Sequence, residues 1–277
     1  MRRTILLGSV VAFLAVGLVA CGSTKPGGSH STEARFLSSC TFSHRAPDDP
    51  IVSPGVPGGA HSHDFLGNVT TNHSSTHGSL VGAATTCAPS GDSAAYWVPT
   101  LSVNGQPVPP AHATFYYRGN SKDFFLVGAF PPGFKLIAGT ASATSPQPKS
   151  VTSWKCSNVD GSFSEIPSCP AGERLRLSIN FPECWDGVNI DSADHKSHMS
   201  YRVQGRCPAS HPWILPKIQF SISYPTTGGP TAALASGGQY SAHGDFFNAW
   251  DQGLLMSRVH TCINAGVKCT ANGQVQI

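Results

Sequence analysis

Eight cysteines downstream of residue 21 constrain the fold of this chain more than any other feature. Their number is even and the chain starts with an export-type segment, a setting in which cysteines usually form disulfides. Eight cysteines allow on the order of a hundred pairings, and a cysteine metal site is disfavoured because no Cys-x-x-Cys spacing occurs. We predict sequential pairing: Cys40–Cys87, Cys156–Cys169, Cys184–Cys207 and Cys262–Cys269.

The N-terminus has the pattern of a targeting segment. Two arginines precede the apolar run from Ile5 to Val19, which is shorter than a typical membrane span. The run ends in Leu-Val-Ala-Cys21, which resembles a bacterial lipobox; an ordinary signal peptide that happens to contain a cysteine is the alternative. We predict a lipoprotein-type signal peptide at 1–20, a lipidated Cys21, a flexible tether at 21–36 and an extracytoplasmic, membrane-anchored location.

Charge limits the class of partner. The chain has 18 Lys and Arg against 15 Asp and Glu, a net charge of +3, and removal of the signal peptide's two arginines leaves a nearly neutral chain. Proteins that bind nucleic acid carry strongly basic surfaces, so nucleic acid is not expected as a partner. The expected partners are the membrane, through the lipid anchor, and an extracellular polysaccharide.

Residues 37–277 have the pattern of one β-rich domain, with 29 glycines and 22 prolines in the whole chain. Apolar and polar residues alternate from Arg174 to Phe181 and from Ile218 to Tyr224, which indicates half-buried strands. Apolar residues at helical spacing from Trp250 to Cys262 indicate one short C-terminal helix. We predict a mainly β fold, an antiparallel sandwich or jelly-roll-like domain with long ordered loops.

The stretch from Phe181 to Tyr201 is unusually rich in side chains that can bind metals or transfer protons. It holds four carboxylates, two histidines and a tryptophan, although only 12% of the chain is charged. Its Gly, Asn, Asp and Ser residues favour an ordered loop, and functional residues often collect on such loops. Outside it, His61 and His63 would share one face of an extended segment, and His243 and Asp245 precede the predicted helix.

These residues suggest three alternatives: a divalent metal site, a metal-free acid/base site, or polar groups that only hold loops together. Histidine and aspartate suit zinc, copper or manganese, and zinc or copper is the expected cofactor, with His61, His63, His195 and His198 as candidate ligands. The candidate catalytic residues are His61, His63, Asp186, Asp191, His195, His198 and Asp245. The candidate binding residues are Trp185, Tyr117, Arg118 and His243. We expect the segments around His61, His195 and His243 to line one pocket.

Several ordered motifs carry a family resemblance: Asp-Pro-Ile-Val at 49–52, His-Ser-His-Asp-Phe-Leu-Gly at 61–67, Phe-Pro-Glu-Cys-Trp-Asp-Gly-Val-Asn at 181–189, Asp-His-Lys-Ser-His-Met at 194–199 and His-Gly-Asp-Phe-Phe-Asn at 243–248. Residues 47–262 resemble domain of unknown function family 1996, found in exported bacterial and fungal proteins. The resemblance implies a single exported domain and no particular activity.

We therefore expect a lipid-anchored cell-envelope protein. Its His/Asp cleft would bind or act on an extracellular glycan, with a divalent metal as the candidate cofactor. The sequence does not decide whether the protein is an enzyme; if it is one, we expect it to act on polysaccharides. The alternatives are a non-catalytic glycan- or metal-binding module and a structural envelope protein.

Overall fold

The structure, a computed structural model, describes residues 33–120, 123 and 126–276. The predicted signal peptide, Cys21 and the tether as far as residue 32 lie outside these residues. The described strands are, in chain order, β1 (Glu33–Cys40), β2 (Phe42–Ala46), β3 (His63–Gly67), β4 (Cys87–Ala88), β5 (Ala95–Pro99), β6 (Leu101–Val103), β7 (Gln106–Pro107), β8 (His112–Asn120), β9 (Lys135–Gly139), β10 (Thr152–Cys156), β11 (Leu175–Asn180), β12 (Cys184–Trp185), β13 (Met199–Ser200), β14 (Trp213–Ile214), β15 (Lys217–Tyr224), β16 (Ala232–Leu234) and β17 (His243–Phe247).

These strands form four sheets, and all pairings between them are antiparallel. A six-stranded sheet has the order β10-β11-β15-β8-β1-β4, and a five-stranded sheet has the order β2-β3-β5-β17-β9. Two small sheets, β13-β12-β14 and β16-β6-β7, complete the set. The fold is therefore mainly β and antiparallel, as the sequence predicts.

The two large sheets pack face to face as a sandwich. Alternate residues of β1, β8 and β15 are buried, which is the pattern of strands with one face on a core. The Tyr96 ring of the five-stranded sheet stacks on Phe115 of the six-stranded sheet, with centroids 3.8 Å apart. Gly244 permits this close packing, because a Cβ there would lie 3.0 Å from the side chains of Ile179 and Phe220.

The outer face of the five-stranded sheet is also partly covered. Phe65, Trp97 and Phe247 on that face form a second, smaller apolar cluster with Ile51 from the loop between β2 and β3. Leu80 joins the cluster from a short helix, α1 (His77–Leu80). Strand alternation therefore directs the next residues along this face, His63 and Asp245, towards the same covering loops.

The predicted C-terminal helix is confirmed as α2 (Gln252–Arg258), which continues as a π-helical segment, Val259–Asn264. Asp251 caps it by accepting a hydrogen bond from the backbone N–H of Leu254 at 2.7 Å. In the described residues, no helix has the length and apolarity needed to cross a membrane.

All four predicted disulfides are present: Cys40–Cys87, Cys156–Cys169, Cys184–Cys207 and Cys262–Cys269. This disulfide content fits a protein that resides outside the cytoplasm. One boundary needs correction. Residues 33–36, predicted as the end of the tether, are the first half of β1, because Ala34 and Phe36 fill the core face of the six-stranded sheet.

Candidate functional site

Five titratable residues meet on the outer face of the five-stranded sheet. His63 begins β3, His243 and Asp245 lie two residues apart on β17, and His61 and Asp49 come from the loop that precedes β3. In the sheet, β5 separates β3 from β17, with His63 opposite Pro99 and Asp245 opposite Trp97. We call His61, His63, His243, Asp49 and Asp245 the His/Asp cluster.

The three imidazoles of the cluster converge on one point. The Nε2 atom of His243 lies 3.2 Å from Nε2 of His61 and 3.5 Å from Nε2 of His63. Nitrogens bound at about 2.0–2.1 Å to a tetrahedral zinc ion lie about 3.3–3.4 Å from one another. The two separations therefore match the spacing of ligands around one metal ion.

Backbone carbonyls set the tautomers of two of these rings. His63 Nδ1 lies 3.0 Å from the carbonyl oxygen of Asp48, and His243 Nδ1 lies 2.9 Å from that of Ser241. A carbonyl can only accept, so each Nδ1 carries the proton and each neutral ring keeps a lone pair on Nε2. A hydrogen bond from the second ring nitrogen to a carbonyl is the usual support of a metal-binding histidine.

Burial keeps these rings neutral. It lowers the pKa of His63 well below the ordinary histidine value, with a further decrease from the charges of His243 and His61. Burial also lowers the pKa of His243 to about 4 and lowers that of His61. Neutral imidazoles are the form that binds a metal, so none of these rings has to lose a proton to a metal near neutral pH.

The carboxylates of the cluster are buried as well. Burial raises the pKa of Asp245 well above its usual value, and the nearby charge of Asp49 raises it further. Burial also raises the pKa of Asp49, although the backbone amides of Val52 and Ile51 oppose the shift. Asp245 Oδ2 lies 3.9 Å from His243 Nε2 and has no hydrogen-bond partner among the described residues. A buried oxygen without a partner is costly, and a bound cation would satisfy it.

A cavity of about 640 Å³ opens over the cluster. Asp49, His61, His243 and Asp245 form part of its wall, together with residues 58–60 and 140–142. The loop predicted as the main site reaches the same cavity through residues 194–196. The three sequence segments expected to share a pocket therefore border one cavity.

His195 lies at the rim of this cavity but not among the converging imidazoles. Its Nδ1 lies 2.8 Å from Asp191 Oδ1, and the other oxygen of Asp191 pairs with Lys135 Nζ at 3.0 Å. Asp191 is slightly buried, which raises its pKa, but the bonds from His195 and Lys135 outweigh this and lower it. Asp191 thus fixes the loop and stays ionised rather than serving in the cluster.

His198 does not join the cluster. The ring is buried, with Nδ1 2.9 Å from the Ser192 hydroxyl and Nε2 2.8 Å from the carbonyl oxygen of Lys135. Both nitrogens already have partners within the fold, so the predicted ligand and catalytic roles of His198 are corrected to a structural one. The third imidazole is that of His243, which the sequence indicated as a binding residue.

Asp186 and Trp185 make contacts within their own loop and do not line the cavity over the cluster. Asp186 Oδ1 accepts hydrogen bonds from the backbone amides of Val188 and Asn189 at 2.8 and 2.9 Å. The indole of Trp185 donates to the carbonyl oxygen of Asn189 at 2.6 Å and packs against Phe134. Neither residue borders the cavity over the cluster, because β12 lies in a separate small sheet.

Tyr117 and Arg118 lie away from the cluster. Tyr117 is fully buried between the large sheets, where its hydroxyl lies 2.6 Å from that of Tyr96 and accepts from the indole of Trp250 at 2.9 Å. Arg118 lies on the outer face of the six-stranded sheet and pairs with Glu33 at 2.8 Å. Their predicted binding roles at this site are therefore wrong, since the strand that carries them belongs to the other sheet.

Sequence reasoning missed two residues of this region, Asp49 and Lys196. Asp49 looked like part of an irregular Asp-Asp-Pro turn, and its Oδ1 does accept from the amides of Ile51 and Val52. Lys196 Nζ donates to the carbonyl oxygen of Gly139 at 2.7 Å, beside His243 in the β9–β17 pairing. Both residues stand within the motifs that carry the family resemblance, which was the one signal that could have found them.

Fold and site together define a class: a disulfide-bonded antiparallel β-sandwich with a histidine–aspartate group able to hold a metal ion. The chain belongs to the family described as Domain of unknown function (DUF1996), which matches residues 49–250. The match confirms the resemblance seen in the sequence, and the matched range includes all five residues of the His/Asp cluster. No curated protein and no solved structure matches the chain.

Proposed function

We propose that this chain is a metal-binding protein of the cell envelope, lipid-anchored at Cys21, whose cavity binds or acts on an extracellular glycan. In this proposal, His61, His63 and His243 hold one zinc or copper ion at the base of the cavity. The convergence of three neutral Nε2 atoms is the observation that carries it. Imidazole ligands suit zinc and copper, whereas magnesium and calcium prefer oxygen.

The carboxylates have complementary roles. In this proposal Asp245 serves as a fourth ligand or as a carboxylate beside a metal-bound water, and Asp49 lies within reach of both His63 and Asp245. Three protein ligands with one open position are typical of catalytic zinc sites. The open position would face the cavity, where a ligand enters.

A glycan is the ligand class favoured by the cavity wall. The volume of about 640 Å³ accommodates sugar units. Ser53, Thr140, Ser142 and Lys196 supply hydroxyl and ammonium groups that can bond to sugar hydroxyls. No Phe, Trp or Tyr among the described residues lines this cavity, so binding would rely on hydrogen bonds and the metal rather than on ring stacking.

The metal is tested first, by inductively coupled plasma mass spectrometry and by titration calorimetry of the chelator-treated protein with zinc and copper(II). We expect about one ion per chain. His63→Ala and His243→Ala should each abolish tight binding, whereas His260→Ala, at an exposed position outside the cluster, should leave it unchanged. Absence of metal binding in the wild-type protein, or equal binding by His243→Ala, would refute the proposed centre.

Glycan turnover is tested next with the metal-loaded protein. Cell-wall and plant polysaccharides are incubated with the wild type, with His243→Ala and with chelator present, and released products are measured by mass spectrometry. Metal-dependent release identifies an enzyme, and metal-dependent retention without release identifies a binding module. Neither retention nor release, in a protein that does bind metal, would remove the glycan part of the proposal.

A further inference from the structure

The outer face of the six-stranded sheet carries a row of four cations. Lys217 on β15 stands opposite Arg118 on β8, and Arg118 stands opposite Arg35 on β1. Arg35 in turn forms a bridge with Lys268. Neighbouring strands are about 4.8 Å apart, so the basic row (Lys217, Arg118, Arg35 and Lys268) spans roughly 15 Å across the sheet.

This face is basic beyond the row itself. The six strands contain five Lys or Arg residues and a single acidic residue, Glu33, whereas the strands of the five-stranded sheet contain two of each sign. The guanidinium groups of Arg35 on β1 and of Arg118, two residues along β8 from Tyr116, each lie 5.0 Å from the centroid of the Tyr116 ring. The stacking holds both cations in place on the outer face.

The acids near the row do not neutralise it. Glu33 pairs with Arg118 at 2.8 Å. Glu183 and Asp123 both pair with Arg202, at 2.9 and 2.8 Å. The structure gives no ion pair to Arg35, Lys217 or Lys268 within the described residues, so at least three positive charges remain available to an external anion.

The position of the row relative to the chain's N-terminal part indicates what that anion is. β1 begins at Glu33, two residues before Arg35, and Cys21 lies twelve residues earlier in the sequence. Twelve residues span at most about 43 Å. If Cys21 carries a lipid, Arg35 is the first described cation after the anchor, and strand pairing places the rest of the basic row beside it.

We propose that the basic row docks the domain on anionic phospholipid headgroups beside the lipid anchor. A lipid on Cys21 would hold the chain at the membrane, and a basic patch beside it adds electrostatic attraction to anionic headgroups. The inference depends on the lipid anchor proposed above and is independent of the metal centre. The His/Asp cluster lies on the outer face of the opposite sheet, so a domain docked in this way exposes its cavity to the envelope.

Lysine labelling of the lipidated protein tests this docking. The protein, purified from membranes, is reconstituted into vesicles of phosphatidylcholine alone or of phosphatidylcholine mixed with phosphatidylglycerol. An amine-reactive reagent is applied, and modification is read by peptide mass spectrometry. Lys217 and Lys268 report on the row, and Lys196, exposed at the cavity on the opposite face, is the internal control.

We expect labelling of Lys217 and Lys268 to fall at least about fivefold in the anionic vesicles, since each cation near an anionic surface contributes roughly a fivefold preference. Lys196 should be labelled equally in both. High salt should restore labelling by screening. The double variant Arg35→Gln, Lys268→Gln should lose the protection of Lys217, whereas Lys149→Gln, Arg206→Gln, with the same loss of net charge outside the row, should keep it.

Each other outcome decides against the proposal. Equal labelling of Lys217 in the two vesicles would mean that the row does not dock. Protection of Lys196 instead would place the opposite face on the membrane. Protection by soluble polygalacturonate but not by anionic vesicles would assign the row to an acidic polymer. The wild-type comparison does not depend on the folding of any variant, and Cys21→Ser separately tests the anchor itself.

Discussion

A buried carboxyl group makes the stability of this fold depend on pH. Asp92 is fully buried between the large sheets, where its Oδ2 accepts from the Tyr96 hydroxyl at 2.7 Å and its Oδ1 accepts from the Ala94 amide at 3.1 Å. Burial raises the pKa of Asp92 from 3.8 to about 7, against the lowering effect of these hydrogen bonds. The folded protein therefore holds a proton that the unfolded chain releases at much lower pH.

The sign and size of the pH effect on the free energy of unfolding follow from the difference between the folded and unfolded pKa values of Asp92. Below pH 3.8 the carboxyl is protonated in both states, and its contribution to stability is complete. As the pH rises towards 7 only the unfolded state ionises, so the free energy of unfolding falls, and above 7 the loss reaches a plateau. For these two pKa values the loss is on the order of 4 kcal/mol. Asp92→Asn cannot ionise and should lack this loss.

Guanidinium unfolding, followed by tryptophan fluorescence from pH 4 to pH 8, measures the effect. The quantity of interest is the free energy of unfolding of Asp92→Asn minus that of the wild type, because contributions of other titrating groups cancel in it. It should increase with pH by about 4 kcal/mol. For Asp186→Asn it should stay nearly constant over this range, since Asp186, despite slight burial, has its pKa lowered by the amides of Val188 and Asn189 and is ionised in both states above pH 4. A pH-independent difference for Asp92→Asn would refute the reasoning.

Three further predictions concern the anchor, the disulfides and the site. Cys21→Ser should release the protein from the membrane fraction or leave its precursor uncleaved; unchanged partition with normal processing would reject the lipobox. Replacing Cys184 and Cys207 by Ala should lower the free energy of unfolding by about 3 kcal/mol in a denaturant titration, because this bridge spans 23 residues; an unchanged midpoint would contradict this. Gly139→Ala should weaken zinc binding in calorimetry without changing a ligand, because its Cβ would lie 2.9 Å from the Cα of His243; Gly105→Ala, also at positive φ but without close neighbours, is the control.

Much of the fold could be predicted because its signals are local. The alternation at 218–224 reflects one face on a core, and that strand is buried at every second residue. The disulfides follow chain order, each cysteine pairing with the next one along the sequence, so sequential pairing predicted them correctly. The order of strands within a sheet is not a local signal of this kind. It brings His61 to His243 across 182 residues, and no pattern within either segment contains that information.

The candidate site was harder to predict than the fold, because polar residues serve both to hydrogen-bond loop backbone and to form active sites. The density of carboxylates at 181–201 attracted most of the functional prediction, yet Asp186 and Asp194 mainly bind the loop's own amides and hydroxyls. An irregular loop needs such acceptors as much as an active site does. The Tyr116–Tyr117 pair shows the same limit: alternation requires one ring inside and one outside, but a single sequence does not tell which.

The placement of the two proposed sites on opposite outer faces has a testable consequence. The large sheets of a sandwich pack about 10 Å apart, and the apolar core with Tyr96, Phe115 and Phe220 fills the space between the basic row and the His/Asp cluster. Headgroups that contact Arg35 and Lys217 therefore cannot reach His243. We expect the zinc affinity of the lipidated protein to be the same in neutral and anionic vesicles, measured by competition with a fluorescent chelator. A difference larger than that of the lipid-only controls would mean that docking alters the cluster, and that the two faces are not independent.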